Sequence, residues 1–147
     1  SSDLTALPIA SYIAGIADQF PVMYEAIGKA VREIYPGIHF GAHWSHVYPE
    51  GACQYMTVRL PPMPKEQALP IHQKLWDVVQ KLTLDHGGSI AHHHGAGLFR
   101  NPWMQRELGT GLKVLQAIKD ALDPGNLFNP GKIGLRPGAS AKDIRRD

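Results

Sequence analysis

Two extended runs joined by a short turn constrain the fold of this chain more than any other feature. Residues 38–48 (IHFGAHWSHVY) are rich in aromatic and β-branched types, and residues 52–60 (ACQYMTVRL) continue that character. Pro49, Glu50 and Gly51, which separate the two runs, are typical of a turn. Because aromatic and β-branched side chains suit a half-buried pleated surface, the pattern predicts a β-hairpin.

The side chains of the second run alternate between two faces, since successive side chains of a strand point to opposite sides of the sheet. One face is mainly apolar and is predicted to be core; it carries Ala52, Gln54, Met56, Val58 and Leu60. The other face is predicted to be polar; it carries Cys53, Tyr55, Thr57 and Arg59.

Three helices are predicted around the hairpin from apolar residues at steps of three and four, over residues 21–35, 66–86 and 102–122. Their aliphatic stripes are predicted to be core. The third stripe consists of Leu112, Leu115, Ile118 and Leu122. Residues 89–92 (SIAH) read as a short extended stretch, whereas residues 1–18 show no clear period and are interpreted as the end of a structure that begins earlier.

The resulting order of elements predicts an α+β fold, with helices packed on one face of a small, mainly antiparallel sheet. An additional N-terminal strand would complete a ferredoxin-like βαββαβ unit, which a C-terminal helical segment follows. The chain has 147 residues, of which 44% are hydrophobic, so one domain with its own core is expected over residues 1–147.

Composition and charge exclude several classes of protein. The net charge is +2 and its positive excess lies in residues 132–147, so no basic stripe indicates a nucleic-acid partner. No apolar run reaches the roughly 18 residues of a membrane span, and no export leader opens the sequence. The single cysteine, Cys53, cannot form an intrachain disulfide, which favours a cytoplasmic location.

Chemistry is expected at the histidine triplet, which is His92, His93 and His94 followed by two glycines within Gly95-Ala96-Gly97. Imidazole titrates near neutrality, and a strand end beside glycines would place ring nitrogens at the mouth of a site, which favours acid and base catalysis. An inert, hydrogen-bonded trio stays open as an alternative. No metal is predicted, because in a strand His92 and His94 would share a face that excludes His93.

Two residues on the polar face of the second strand extend this candidate site. Taken alone, Tyr55 fits a core position, but its polar neighbours favour a role as a proton relay near the imidazoles. Arg59 could hold an anion such as phosphate. Cys53 has no activating partner nearby in sequence and is predicted to be structural. Gly95-Ala96-Gly97 is not a dinucleotide-binding fingerprint, since Arg100 stands where its third glycine belongs.

Two segments, GGSIAHHHGAG (87–97) and ALDPGNLFNPGKIG (121–134), resemble the C-terminal domain of FAD-linked oxidases, the superfamily of vanillyl-alcohol oxidase and D-lactate dehydrogenase. Within it, the triplet together with WSHVYPEGACQY (44–55) is most similar to the alkyldihydroxyacetonephosphate synthases. The resemblance covers about residues 20–135.

The resemblance implies a substrate-binding cap over residues 1–147, inactive without an N-terminal FAD-binding domain that this sequence lacks. It implies that the cofactor is FAD, held mainly by that domain, with Asn129 and Lys132 in a turn near the flavin. It also implies catalytic roles for the histidine triplet and for Tyr55. The implied reaction exchanges the acyl group of acyl-dihydroxyacetone phosphate for a fatty alcohol in ether-lipid synthesis. Phosphate binding by Arg59 is inferred from its residue type and not from the family.

Three alternatives stay open. An FAD-dependent oxidase or dehydrogenase of a hydroxy acid or alcohol would use a histidine to accept the hydroxyl proton. A non-catalytic accessory or binding module would dock on a separate flavoprotein, and a zinc-binding domain would contain stoichiometric metal. The expected partners are a small-molecule substrate and the flavin-binding domain of the same parent protein, and homodimer formation stays open.

Overall fold

The computed structural model describes the backbone of residues 8–16 and all atoms of residues 19–136. The chain divides into two compact units, Ser1–Gly95 and Ala96–Asp147. The described part of the first unit contains β1 (Pro8–Ile16), α1 (Phe20–Ile34), β2 (His39–Val47), β3 (Gly51–Arg59) and α2 (Lys65–Asp85). The described part of the second contains a 3-10 turn (Asn101–Trp103), α3 (Met104–Leu108) and α4 (Gly111–Leu122).

The three strands form an antiparallel sheet in the order β1-β3-β2. The predicted hairpin is β2 and β3, in which His43 lies opposite Tyr55. The α+β fold is confirmed. The structure adds one element that the sequence did not predict: residues 8–16 form a strand, β1, which pairs with β3 along its whole length. This pairing supplies the N-terminal strand that a ferredoxin-like unit requires.

The core of the first unit lies between one face of the sheet and both of its helices. Met56 and Val58 of β3 are buried there together with Ile27 of α1 and Leu75 and Val79 of α2. The apolar face predicted for β3 is therefore the core face, as its alternation indicates. Because α1 and α2 cover that side, the opposite face of the sheet is left to carry Cys53, Tyr55, Thr57 and Arg59.

The structure differs from the sequence prediction at two places after α2. Residues 89–92 form no strand: Ser89 makes a single bridge, and the histidine triplet lies in bends. The predicted helix over residues 102–122 is broken between α3 and α4 at Gly109, whose φ is 52°. Glycine adopts this left-handed conformation without steric cost and commonly ends a helix.

The apolar stripe of α4 is exposed in the described chain, so the prediction that it is core is wrong. No residue of α4 is buried, and Ile118 and Leu122 expose 50% and 80% of their surface. Leu127 and Phe128, which follow the helix in the chain, are also exposed. Several large apolar side chains exposed along one short segment are typical of an interface. None of the described helices combines the length and the apolar content that crossing a bilayer requires.

Candidate active site

Three imidazole rings gather at the end of the β2–β3 hairpin. His92 and His93, in the segment after α2, lie with their ring centroids 5.1 Å apart. His46 of β2 lies 5.1 Å from the ring of His92 and 5.2 Å from that of His93. The rings therefore form a nearly equilateral triangle to which the sheet and the following loop both contribute. His94 adds an edge contact, with its ring 4.5 Å from that of His93.

The position of His46 depends on an irregularity in β2. The pairing of β2 with β3 shifts register between Ser45 and Val47, and His46 between them has a φ of 52°. A bulge of this kind aims the side chain away from the regular alternation of the strand, and such strain recurs at functional sites. The hydroxyl of Ser45 lies 3.1 Å from Nδ1 of His46 and fixes the orientation of the ring.

Hydrogen bonds also fix the orientation of His92. The hydroxyl of Tyr48 hydrogen-bonds its Nε2 at 2.9 Å, and its Nδ1 lies 2.8 Å from Nδ1 of His93. One of these two Nδ1 atoms carries a proton and the other accepts it, so the two rings share a proton. The expectation that His92 and His94 share a face that excludes His93 is thus wrong, because the triplet lies in bends and the alternation of a strand does not apply.

Cys53 is the buried residue next to these three imidazoles. Its side chain is fully buried, and its Sγ lies with one nitrogen of each of the rings of His46, His92 and His93 in a group whose atoms are all within 4.8 Å of one another. Burial raises the pKa of the Cys53 thiol, and a hydrogen bond with Ser45 partly opposes that rise. The thiol is accordingly neutral at pH 7 in the absence of an added charge.

The electrostatic environment keeps His93 neutral. Desolvation lowers its pKa below the usual 6.5, and repulsion by the neighbouring imidazoles of His94, His92 and His46 lowers it further. A neutral imidazole retains a lone pair and can accept a proton at pH 7. The ring is exposed, so a substrate can reach it.

Tyr55 lies next to the cluster, whereas Arg59 does not. Tyr55 and Cys53 share a face of β3 two residues apart, which separates their Cα atoms by about 7 Å. The ring of His43 on β2 packs against that of Tyr55 at 4.6 Å. Arg59 lies four residues beyond Tyr55 on the same face, at about 13 Å, and is exposed.

Asn129 and Lys132 lie in the second unit, in a turn that is supported from one side. The Asp123 carboxylate accepts hydrogen bonds from the backbone N–H groups of Leu127 and Phe128, both at 2.9 Å. A contact with Lys119 and these two hydrogen bonds lower the pKa of Asp123 to about 2.

On the other side of the turn, the Asn101 side chain donates to the carbonyl of Gly131 and accepts from the N–H of Gly134 at 2.8 Å. These contacts leave Asn129 exposed and Lys132 half-buried.

Sequence reasoning missed four residues of the site, namely His43, His46, Tyr48 and Cys53. In a regular strand His46 would face the side opposite to His43, and the bulge between Ser45 and Val47 changes its direction. All but His43 fall within WSHVYPEGACQY, the segment on which the resemblance partly depends. The sequence feature that could have indicated these three residues is therefore the whole segment WSHVYPEGACQY.

Comparison with known proteins identifies the family. The model of the family "FAD linked oxidases, C-terminal domain" matches residues 13–133. The chain belongs to this family. The resemblance seen in the sequence is confirmed, and the histidine triplet and the turn that carries Asn129 both lie within the matched region.

Several curated relatives are much longer than this chain. An alkyldihydroxyacetonephosphate synthase of Trypanosoma brucei brucei is 38% identical over 94 residues, which cover 63% of this chain and 15% of that protein. An uncharacterized FAD-linked oxidoreductase of Escherichia coli (strain K12), YgcU, is 30% identical over 118 residues, covering 76% of this chain and 24% of that protein. Glycolate oxidase subunit GlcD of Bacillus subtilis (strain 168) is 31% identical over 83 residues, covering 56% and 16%. The chain thus spans at most a quarter of these relatives.

Proposed function

We propose that this chain is the substrate-binding cap of an FAD-dependent enzyme that exchanges the acyl group of acyl-dihydroxyacetone phosphate for a fatty alcohol. The observation that carries the proposal is the triangle of imidazoles on the outer face of the sheet, which includes an exposed His93 with a lowered pKa. The similarity to alkyldihydroxyacetonephosphate synthases at 35–38% identity supports the substrate class.

The flavin-binding domain of the same polypeptide is the proposed partner. Two observations support it: the exposed apolar stripe of α4, and relatives that are several times longer than this chain. Asn129 and Lys132 fit a position beside the cofactor for two reasons. The side chains of Asp123 and Asn101 hydrogen-bond the backbone of their turn and fix it. An amide and an ammonium group can also donate hydrogen bonds to the polar oxygens of a flavin. FAD, when bound, supplies an electron-accepting ring system beside the substrate.

Within this proposal the residues of the chain move protons. His93 removes a proton from the substrate carbon that carries the acyl group and later returns it. His92, which shares a proton with His93, protonates the departing carboxylate, and the phenol of Tyr55 orients the substrate ketone. The bond from this carbon to the acyl oxygen breaks, a bond to the alcohol oxygen forms, and the proton of the alcohol leaves with the fatty acid.

The test uses the intact polypeptide loaded with FAD. Acyl-dihydroxyacetone phosphate and a radiolabelled fatty alcohol are expected to give labelled ether product and free fatty acid, without lasting bleaching of the flavin. The control omits the acyl substrate. Absence of labelled ether product at saturating substrate contradicts the proposed reaction.

A second candidate is an FAD-dependent oxidase or dehydrogenase of a hydroxy acid or alcohol. It is favoured by the similarity to the Escherichia coli oxidoreductase and to the glycolate oxidase subunit of Bacillus subtilis. In this case His93 accepts the hydroxyl proton of the substrate. Anaerobic incubation with a series of 2-hydroxy acids and alcohols separates the two candidates, since lasting bleaching of the flavin indicates oxidation of the added compound.

The pH dependence of activity follows from the lowered pKa of His93. A base must be neutral to accept a proton, so activity is lost as the pH falls through the pKa of this imidazole. Because that pKa lies below 6.5, the acid limb of kcat/KM against pH is expected below pH 6.5. Replacing His94 by Ala removes a repelling charge and should move the limb toward higher pH. A limb above pH 6.5 in the unmodified enzyme contradicts the assignment.

Arg59 offers a test of where the anionic end of the substrate binds. If Arg59 holds a phosphate, Arg59→Ala raises KM about tenfold or more and leaves kcat nearly unchanged, since a charge-assisted hydrogen bond is lost in ground and transition states alike. The matched control is Lys29→Ala on α1, an exposed cation on the covered side of the sheet. Equal KM values for the two variants remove Arg59 from the proposal.

A further inference from the structure

The group of four donor side chains at the hairpin end has a composition that proton transfer does not require. We call it the donor cluster; its members are His46, Cys53, His92 and His93. The proposed exchange uses imidazoles and a phenol but has no need of a buried thiol beneath them. Thiol sulfur and imidazole nitrogen together are the ligands that zinc prefers in proteins.

The spacing of the donor cluster matches the geometry of a tetrahedral ion. With Zn–N bonds of about 2.0–2.1 Å, imidazoles around one zinc ion have ring centroids about 5.2 Å apart. The three rings are separated by 5.1, 5.2 and 5.1 Å. The four donor atoms already lie within 4.8 Å of one another, and a tetrahedral site brings such atoms to about 3.3–3.6 Å. Shifts of about an ångström or less in side chains at a loop and a hairpin end are sufficient.

Two hydroxyl groups orient imidazoles of the donor cluster. The hydroxyl of Ser45 lies against Nδ1 of His46, and the hydroxyl of Tyr48 lies against Nε2 of His92. Ligating imidazoles usually make such a hydrogen bond through their second nitrogen, which fixes the ring and its tautomer. The exposure of the donors increases from the fully buried Cys53 to the exposed His93. An ion can therefore enter from solvent on the side of His93 and bind the thiol beneath.

We propose that the donor cluster binds Zn²⁺, with Cys53 as thiolate and His46, His92 and His93 as nitrogen ligands. Binding releases the thiol proton to solvent, whereas each imidazole binds as a neutral ligand and keeps its proton on the ring nitrogen that does not face the ion. The ion would tie the loop after α2 to the β2–β3 hairpin, because it takes ligands from both. It also occupies lone pairs that the proposed acid and base chemistry needs, so bound zinc and turnover compete for His93. This consequence, unlike the site itself, depends on the proposed function.

The test measures binding directly in the intact polypeptide, after treatment with a chelator and titration with Co²⁺. We expect the visible bands of a tetrahedral cobalt site and a thiolate-to-cobalt charge-transfer band, both removed by stoichiometric Zn²⁺. Cys53→Ser should abolish the charge-transfer band. His46→Asn should weaken binding at least about tenfold, as expected for loss of one ligand, and asparagine tolerates the positive φ at this position.

The matched control is His39→Ala, an exposed histidine at the other end of β2, which should leave affinity unchanged. Absence of cobalt bands, a charge-transfer band that survives Cys53→Ser, or equal affinity in His46→Asn overturns the zinc site. If Cys53→Ser does not fold, zinc content and the His46→Asn comparison still decide the question. Stoichiometric binding that leaves turnover unaffected supports the zinc site and contradicts instead the role of His93 as the base.

Discussion

Replacing His93 by Ala in the intact, FAD-loaded polypeptide is expected to lower turnover by about 10² to 10⁴, the usual contribution of a positioned general base. The expected loss is large because this ring combines exposure, a lowered pKa and a proton shared with its neighbour. The measurement is kcat for the exchange reaction at saturating substrate. Added imidazole should restore part of the activity, since the vacated position can admit a small base.

Two controls separate loss of chemistry from loss of structure. His39→Ala removes an exposed imidazole from the same sheet, away from the cluster, and should leave kcat unchanged. The stability of His93→Ala should stay within about 0.5 kcal/mol of the unmodified protein, because its side chain is exposed. Undiminished turnover in His93→Ala would remove the catalytic assignment, and equal losses in both variants would show that the effect is not specific to the triplet.

Local periodicity was sufficient to predict the elements that form the first core. The apolar steps of α1 and α2 are strong because each helix buries a single face, and β3 places its apolar residues on the face that meets those helices. β1 was missed for a related reason. Its residues show no clean alternation, and it becomes a strand by pairing with β3 over nine residues, which is a long-range interaction. A pattern confined to one segment does not report on such a partner.

The site was harder to predict because it depends on departures from regular structure. Alternation along a strand predicts the environment of neither the triplet, which lies in bends, nor His46, where the bulge changes the direction of the side chain. Both failures have one cause, since residue spacing predicts neighbours only where the backbone is regular. The motif resemblance indicated His92, His93 and Tyr55 as candidates without this assumption. It did not indicate that Cys53 lies beneath the rings.

The exposed stripe of α4 shows a different limit of prediction. Its spacing correctly indicates an amphipathic helix, but Ile118 and Leu122 are uncovered within the described chain. The spacing of apolar residues indicates that one face of a helix packs against another surface. It does not indicate whether that surface belongs to the same unit or to a different domain. In the proposed enzyme the flavin-binding domain does so, and the same consideration directs attention to the turn that follows α4.

Gly134→Ala is expected to lower the free energy of unfolding by about 2 to 5 kcal/mol, the sum of a left-handed backbone penalty and overpacking. Gly134 has a φ of +75°, and a Cβ atom there would lie 2.7 Å from Cβ of Met104. Gly97 in the same unit provides a matched control, since its φ is +56° but a Cβ atom there meets nothing within 4 Å. Gly97→Ala should therefore cost only about 1 to 2 kcal/mol.

The comparison of these two variants also tests the turn as a flavin contact. Gly134 is hydrogen-bonded to Asn101, which also supports Gly131 next to Lys132, so displacing Gly134 from Met104 moves the backbone that carries the proposed flavin contacts. Urea unfolding of the intact polypeptide gives the stabilities, and FAD retained after gel filtration gives the second readout. Gly134→Ala should lose more FAD than Gly97→Ala under conditions in which both remain folded. Equal retention would mean that the turn supports the second unit without contacting the flavin.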